Sequence, residues 1–180
     1  SILAGYREYL EMEDPVEALA SFDRFRILCA VRSGVHGVSG LNRAVEDILA
    51  AKGLLRPDRL WYRGRPVMIR VNDYALRLFN GDIGIALPDP ERPGALAVFF
   101  PAENGGARKI SPLRVPEHET VFAMTVHKSQ GSEFDRVLFV MPRADSPVLT
   151  RELLYTGMTR ARTSLVLWCG DDIFRTAVSR

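Results

Sequence analysis

VFAMTVHKSQGSEFD, residues 121–135, sets an apolar run directly against a loop crowded with hydrogen-bond donors. Val121–Val126 has the length of a strand, and a short apolar run bounded by turn residues reads as a strand buried on both faces. Behind it, Thr125–Gly131 brings together a hydroxyl, an imidazole, an ammonium, an amide and free backbone N–H groups. Such a set grips anionic oxygens without needing base edges, which is how a protein holds a phosphate backbone irrespective of sequence. A plain solvated loop is the alternative. The density of donors immediately after a buried strand favours the ligand-binding reading.

Outward from this stretch, β and α textures alternate. Phe25–Val31 is a near-continuous apolar run, followed by Arg32–Gly40, a loop with three glycines in nine residues. A helix is expected next, capped by Ser39, striped by Leu41, Ala44, Val45, Ile48 and Leu49, and ended by Gly53. On the other side, Arg136–Met141 reads as a strand, Thr150–Arg162 as a helix, Ser164–Cys169 as a β run and 171–180 as a terminal helix. Residues 1–23 read as helix, with Asp14-Pro15 opening a second turn. Alternation of this kind predicts a parallel sheet with helices on its faces, and such sheets bind ligands in loops at the carboxyl ends of their strands. Arg32–Gly40 and His127–Glu133 fit that rule.

In TRELLYTGMTRAR (150–162), Leu153, Leu154, Gly157, Met158 and Ala161 form the apolar stripe. Arg160 falls at its edge, where a guanidinium is held firmly and still reaches a cleft. A group so placed suits charge on a transferring γ-phosphoryl, and equally a helix-surface ion pair.

Residues 58–118 differ. Short runs (Pro66–Val71, Gly81–Leu87, Leu96–Phe100, Arg108–Ile110) are split by turn clusters rich in proline, glycine and asparagine. That spacing predicts a small antiparallel barrel inserted into the parallel-sheet domain. The expected organisation is therefore 1–57 and 119–180 as one split core, with 58–118 as the insertion. Six arginines fall within 56–77 against Asp58 and Asp73, a cluster that suits phosphates or solvent.

Composition sets outer limits. A chain of 180 residues with 47% hydrophobic content fits one domain with a modest insertion. No apolar run reaches the roughly 20 residues of a membrane span, and no secretory leader pattern is present. Cys29 and Cys169 each sit in an apolar run and are expected as free thiols in a reducing cytoplasm. The three histidines are dispersed and lack a Cys-x-x-Cys, which argues against zinc. The net charge of +2 says little about partners. No Gly-x4-Gly-Lys-Ser/Thr occurs, nor an acidic strand end suited to Mg²⁺, so these residues supply at most one wall of a nucleotide site. Beginning on Ser1 rather than Met, the chain is expected to be part of a longer one.

VFAMTVHKSQGSEFD (121–135) resembles motif V of superfamily 1 helicases, and ELLYTGMTRAR (152–162) resembles their motif VI, in that order. LCAVRSGVHGVSGLN (28–42) and GRPVMIRVNDYALRLFNGDIGIAL (64–87) resemble stretches of the RecD family, the alpha subunits of exodeoxyribonuclease V. The resemblance covers most of the chain. It implies a second RecA-like motor domain interrupted by an SH3-like barrel, with ATP and Mg²⁺ bound jointly with a first motor domain. It implies Arg160 as an arginine finger and Arg32 as a second phosphate-sensing arginine, with Gly131 and Glu133 on the nucleotide side. Thr125, His127, Lys128 and Ser129 would meet single-stranded DNA. The family implication is a 5′-to-3′ helicase acting with beta and gamma subunits in double-strand break repair and recombination, inactive without its Walker half. A stand-alone RecD-like or relaxase-type helicase and a non-enzymatic nucleic-acid-binding module are the alternatives. Gly157-Met158 departs from the more usual alanine followed by a branched residue, and glycine there weakens an isolated helix by up to ~1 kcal/mol.

Overall fold

A run in which every residue is buried has to be an inner strand, and Phe25–Cys29 is one. In the computed structural model, which describes residues 1–180, the elements are α1 (Ile2–Glu11), α2 (Pro15–Asp23), β1 (Phe25–Cys29), α3 (Val38–Ala51), β2 (Pro66–Ile69), β3 (Ile83–Pro88) and β4 (Leu96–Pro101). There follow β5 (Ala107–Ile110), β6 (His118–Thr120), β7 (Ala123–Thr125), β8 (Phe134–Val140), α4 (Arg151–Met158), β9 (Ala161–Trp168) and α5 (Asp171–Ser179). Two sheets result. One is parallel throughout, in the order β7-β1-β8-β9, and the other is antiparallel, in the order β5-β4-β3-β2-β6. The end strands β5 and β6 do not pair with each other, so the expected barrel is an open five-stranded antiparallel sheet.

Two compact units divide the chain: residues 1–22 with 46–121, and residues 23–45 with 122–180. Helices α1 and α2, read from the sequence as part of the parallel-sheet core, belong to the first unit with the antiparallel sheet. Aromatic packing explains the placement. Tyr6, Tyr9 and Phe22 are fully buried together, with ring centroids 5.0–6.1 Å apart, and the Tyr9 hydroxyl donates to the Gly64 carbonyl at 2.8 Å. The antiparallel sheet has its own core of Val67, Ile69, Leu78, Ala86, Val98 and Phe100.

Helix α3 begins at Val38, so Ser39 is inside it rather than at its cap; the Ser39 N–H donates instead to the Arg32 carbonyl at 3.3 Å. Its far end follows the sequence reading. Gly53 takes φ +70, its N–H donates to Ala50 and that of Leu54 to Leu49, which is a Schellman ending.

In the second unit, β1 contains Arg26, a fully buried cation that an apolar reading passes over. Its guanidinium bonds Asp23 at 3.0 Å and lies 5.0 Å over the Phe134 ring, two contacts that offset desolvation. Cys29 is buried, and burial pushes its thiol up to about 12; Cys169 is half-buried, and both are free.

Helix α4 is shorter than the sequence suggests. Thr150 caps it by accepting the Leu153 N–H at 3.2 Å, it ends at Met158, and Ala161 already belongs to β9. Gly157 is the contact point with the sheet: a Cβ there would lie 2.5 Å from the buried Phe139 ring of β8. Helix propensity alone makes Gly157→Ala stabilising by ~1 kcal/mol. Overpacking costs about 1–3 kcal/mol, and Phe139, at 0% exposure, is enclosed. The clash is the larger effect. Gly157→Ala is therefore expected to lower the melting temperature, and a rise would show that Phe139 yields freely.

Candidate functional site

Parallel pairing aligns the strand ends into two rows. Thr125, Cys29, Val140 and Trp168 are in register at the carboxyl ends of β7, β1, β8 and β9. At the amino ends, Phe134 pairs with Ala161, and the Phe134 N–H donates to the Arg160 carbonyl at 2.8 Å. The length of β8 separates the rows by about 20 Å at 3.3 Å per residue.

The carboxyl-end row carries a depression of about 540 Å³ lined by Val31, Arg32, Thr125, His127, Lys128 and Val148, with no carboxylate among its lining residues. Two fixed cations and an imidazole around one hollow make an anion-receiving surface. Thr125 is buried at its floor and accepts the Lys128 N–H at 3.3 Å, while His127 and Lys128 are exposed. Ser129 differs from its expected role as a contact: it is fully buried, and its hydroxyl donates to the Val126 carbonyl at 2.7 Å. Arg32, expected beside the γ-phosphate with Arg160, lines this depression and lies at the opposite row.

The amino-end row is built around Arg160, which occupies the turn between α4 and β9 rather than a helix flank. Its Nε donates to Thr156 at 3.1 Å, Nη1 to Ser132 at 3.1 Å and Nη2 to the Thr159 hydroxyl at 3.3 Å. Three of the five guanidinium donors are thus engaged and two are left for an incoming anion. Glu133 stands next to it and pairs with Arg162 at 3.1 Å. Gly131, at φ +85, is exposed in the same loop. A bulge sets Arg162: register shifts between Phe134 and Arg136, so β9 carries one extra residue here, and the Thr163 hydroxyl donates to the Asp135 carbonyl at 2.5 Å. No group of three or more His, Cys, Asp or Glu residues that could hold a metal is present.

Arg162 and Asn42 were not singled out by the sequence reading. TRAR carries two arginines, and only strand pairing shows that the second faces Glu133. Asn42 is buried between α3 and β7: its amide nitrogen donates to Val38 at 2.9 Å and to Ala123 at 3.2 Å, and its oxygen accepts the Ala123 N–H at 2.9 Å. It completes the free edge of β7 in place of a further strand, two residues before Thr125.

In the antiparallel unit, the arginine cluster of 56–77 divides. Arg65 is buried, donates to Thr120 at 3.0 Å and Leu60 at 2.7 Å, and lies 5.0 Å over the Trp61 ring; burial holds its guanidinium below the usual range. Arg70 pairs with Glu117 at 2.8 Å. Arg56, Arg59, Arg63 and Arg77 are exposed. Tyr74 and Phe79 of this unit are exposed as well.

A UvrD-like helicase C-terminal domain family matches residues 120–168, which contain Thr125, His127, Lys128 and Arg160 but not Arg32. The RecBCD enzyme subunit RecD of Mycobacterium tuberculosis (strain CDC 1551 / Oshkosh) is 44% identical over 91% of this chain and 28% of its own length. RecD of Haemophilus influenzae is 41% identical over 99% of this chain and 29% of its own. This chain is a RecD homologue. It spans less than a third of the length of these curated relatives. Among solved structures, the Pif1 helicase from Bacteroides, in complex with ADP-AlF3 and ssDNA, matches 92% of this chain and 47% of its own, at 20% identity and a TM-score of 0.50. That likeness is one of fold.

Asn42→Leu keeps the volume and removes both partners of buried Ala123. Unsatisfied buried backbone groups cost about 1–3 kcal/mol each, so a loss of about 3 kcal/mol is expected in urea unfolding, with the slope unchanged. A loss under about 1 kcal/mol would mean that water replaces the amide.

Proposed function

We propose that this chain forms the second motor domain of a RecD-type, ATP-driven 5′-to-3′ DNA helicase that works with beta and gamma subunits in double-strand break repair. Its parallel-sheet unit is the RecA-like core, and the antiparallel sheet between the two halves of that core is an SH3-like inserted module. One observation carries the reading: a cationic hollow and a half-engaged arginine occupy opposite rows of one sheet and are joined by the single loop 126–133.

At the carboxyl-end row, Arg32, His127 and Lys128 hold the backbone of single-stranded DNA, with Thr125 shaping the floor. The sharing of one hollow moves Arg32 from the nucleotide to the DNA, and Ser129 acts by bracing the loop. At the amino-end row, Arg160 presents its two remaining donors to the γ-phosphate, and Gly131 and Glu133 border the same site. ATP, bound with Mg²⁺ between this domain and a first motor domain, supplies the hydrolysable phosphoryl group. These residues fit an anion at Arg160 and provide no Mg²⁺ cluster, so the metal ligands belong to the other wall. The Arg160 guanidinium is held in one orientation by the Thr156 and Ser132 carbonyls, ready to meet charge that grows in the transition state.

The alternative of a purely nucleic-acid-binding module separates from this reading at Arg160. Arg160→Ala in the full chain is expected to lower ATP turnover by roughly 10³–10⁵, the range of an arginine finger, while single-strand binding stays within a few-fold. Normal turnover in that variant would assign Arg160 to holding the loop alone. The 180 residues by themselves are expected to show no DNA-stimulated ATP hydrolysis, because they contain no Walker loop. Turnover by that piece would sink the two-wall account.

A further inference from the structure

Trp168 ends β9 in the carboxyl-end row, and the loops after β1 and β8 converge on it. The His36 ring lies against it at 4.9 Å between centroids, tilted by 36°, and the Arg143 guanidinium lies 5.8 Å over it. Beside His36 runs a groove of about 520 Å³, lined by Val31 and residues 33–36 from the loop after β1 and by residues 142–144 from the loop after β8. That volume falls within the roughly 300–1,000 Å³ typical of small-ligand sites. Its walls are the imidazole, a proline, small apolar side chains and the Ser33 hydroxyl, with Arg143 as the single cation. They suit a flat, neutral, aromatic group better than an anion.

The groove and the cationic depression share Val31. A phosphate-receiving hollow and a ring-lined slot on either side of one residue match the two parts of a nucleotide, a charged backbone and a planar base. The Trp168 ring packs against the imidazole without lining the groove, so His36 has a supporting contact before any ligand arrives. Sequence-tolerant single-strand binding combines these two features, a cationic track and an aromatic face.

We infer that the groove takes one unpaired nucleobase, stacked on His36, from the strand whose backbone lies in the neighbouring depression. This rests on the DNA reading of Thr125 and His127 above. His36 is the stacking residue, Trp168 positions it, and Arg143 faces the sugar-phosphate at the rim. Ser33 and Arg143 are the only polar side chains of the groove besides His36, too few to read a base edge, so every base enters.

The test uses the full chain and two probes, an oligothymidylate and the same strand with abasic residues. His36→Ala is expected to weaken binding of the intact strand on the order of tenfold, within the range of a single base stack, and to change binding of the abasic strand less than twofold. Trp168→Ala should behave alike, and His36→Phe should restore most of the affinity. Thr125→Ala with His127→Ala should weaken both probes equally. If His36→Ala has no effect, or affects both probes equally, while the Thr125/His127 variant still weakens binding, the groove is not a base site and the backbone reading stands. If the Thr125/His127 variant leaves both probes unchanged, the backbone reading fails, and the base site fails with it.

Discussion

The reach of one loop constrains the rest of the parallel-sheet unit. Residues 126–133 must carry the chain from the carboxyl end of β7 to the amino end of β8, past the intervening β1. The distance is about 20 Å along the strands and about 10 Å across two strand spacings, or roughly 22 Å in all. The peptide steps from Thr125 to Phe134 span at most about 30 Å when extended. The 3₁₀ turn at His127–Ser129 shortens that to about 26 Å. Only a few ångströms of slack are left, before the left-handed turn at Gly131 takes up more. One end of this loop lines the cationic hollow, and the other accepts a hydrogen bond from Arg160 through Ser132. A displacement of more than a few ångströms at His127 therefore has to open one of these turns or pass on to Ser132.

Much of this was legible in the sequence because it rests on runs of one texture. Phe25–Cys29 apart from Arg26, Val121–Val126 and Val137–Met141 are apolar for close to the length of a strand, as largely buried strands require. The donors of His127–Glu133 are local too. Features that depend on partners were not legible. Arg26 is charged within a buried strand, and Asp23 and Phe134 accommodate it only once β1 and β8 pair. The helical stripe through Ala161 was a coincidence of spacing: pairing with Phe134 draws Ala161–Thr163 into β9 and moves Arg160 from a helix flank to a turn. Gly157 reads as a weak helix residue by propensity, whereas in the structure it makes room for Phe139.

Charge counting left the arginines open for a related reason. Six of them between 56 and 77 suit phosphates or solvent alike, and only the structure shows that Arg65 spends its guanidinium on Thr120 and Leu60, and Arg70 on Glu117. Tyr62 shows the same inward use of polarity. Its hydroxyl donates to Glu46, and burial together with that carboxylate pushes it above its ordinary range. In a unit of this size polar side chains are structural members, and a linear count cannot separate these from the exposed Arg56, Arg59, Arg63 and Arg77. The converse holds at 121–135, where few charges converge on one hollow because strand register places them there.

The two rows also differ in how firmly their groups are held, and the difference suits their proposed roles. Glu133 and Arg162 are more than half exposed. An ion pair so exposed contributes about 0–1 kcal/mol, so a ligand can open it at little cost. Arg160 is half-buried and fixed by bonds to two backbone carbonyls, which hold it in the same orientation whether or not the neighbouring pair is closed. Thr125 is buried, and Asn42 ties the strand beneath it. Arg160 and Thr125, the firmly held groups, thus stand at the two ends of a nearly taut loop, with the labile Glu133–Arg162 pair beside the Arg160 end.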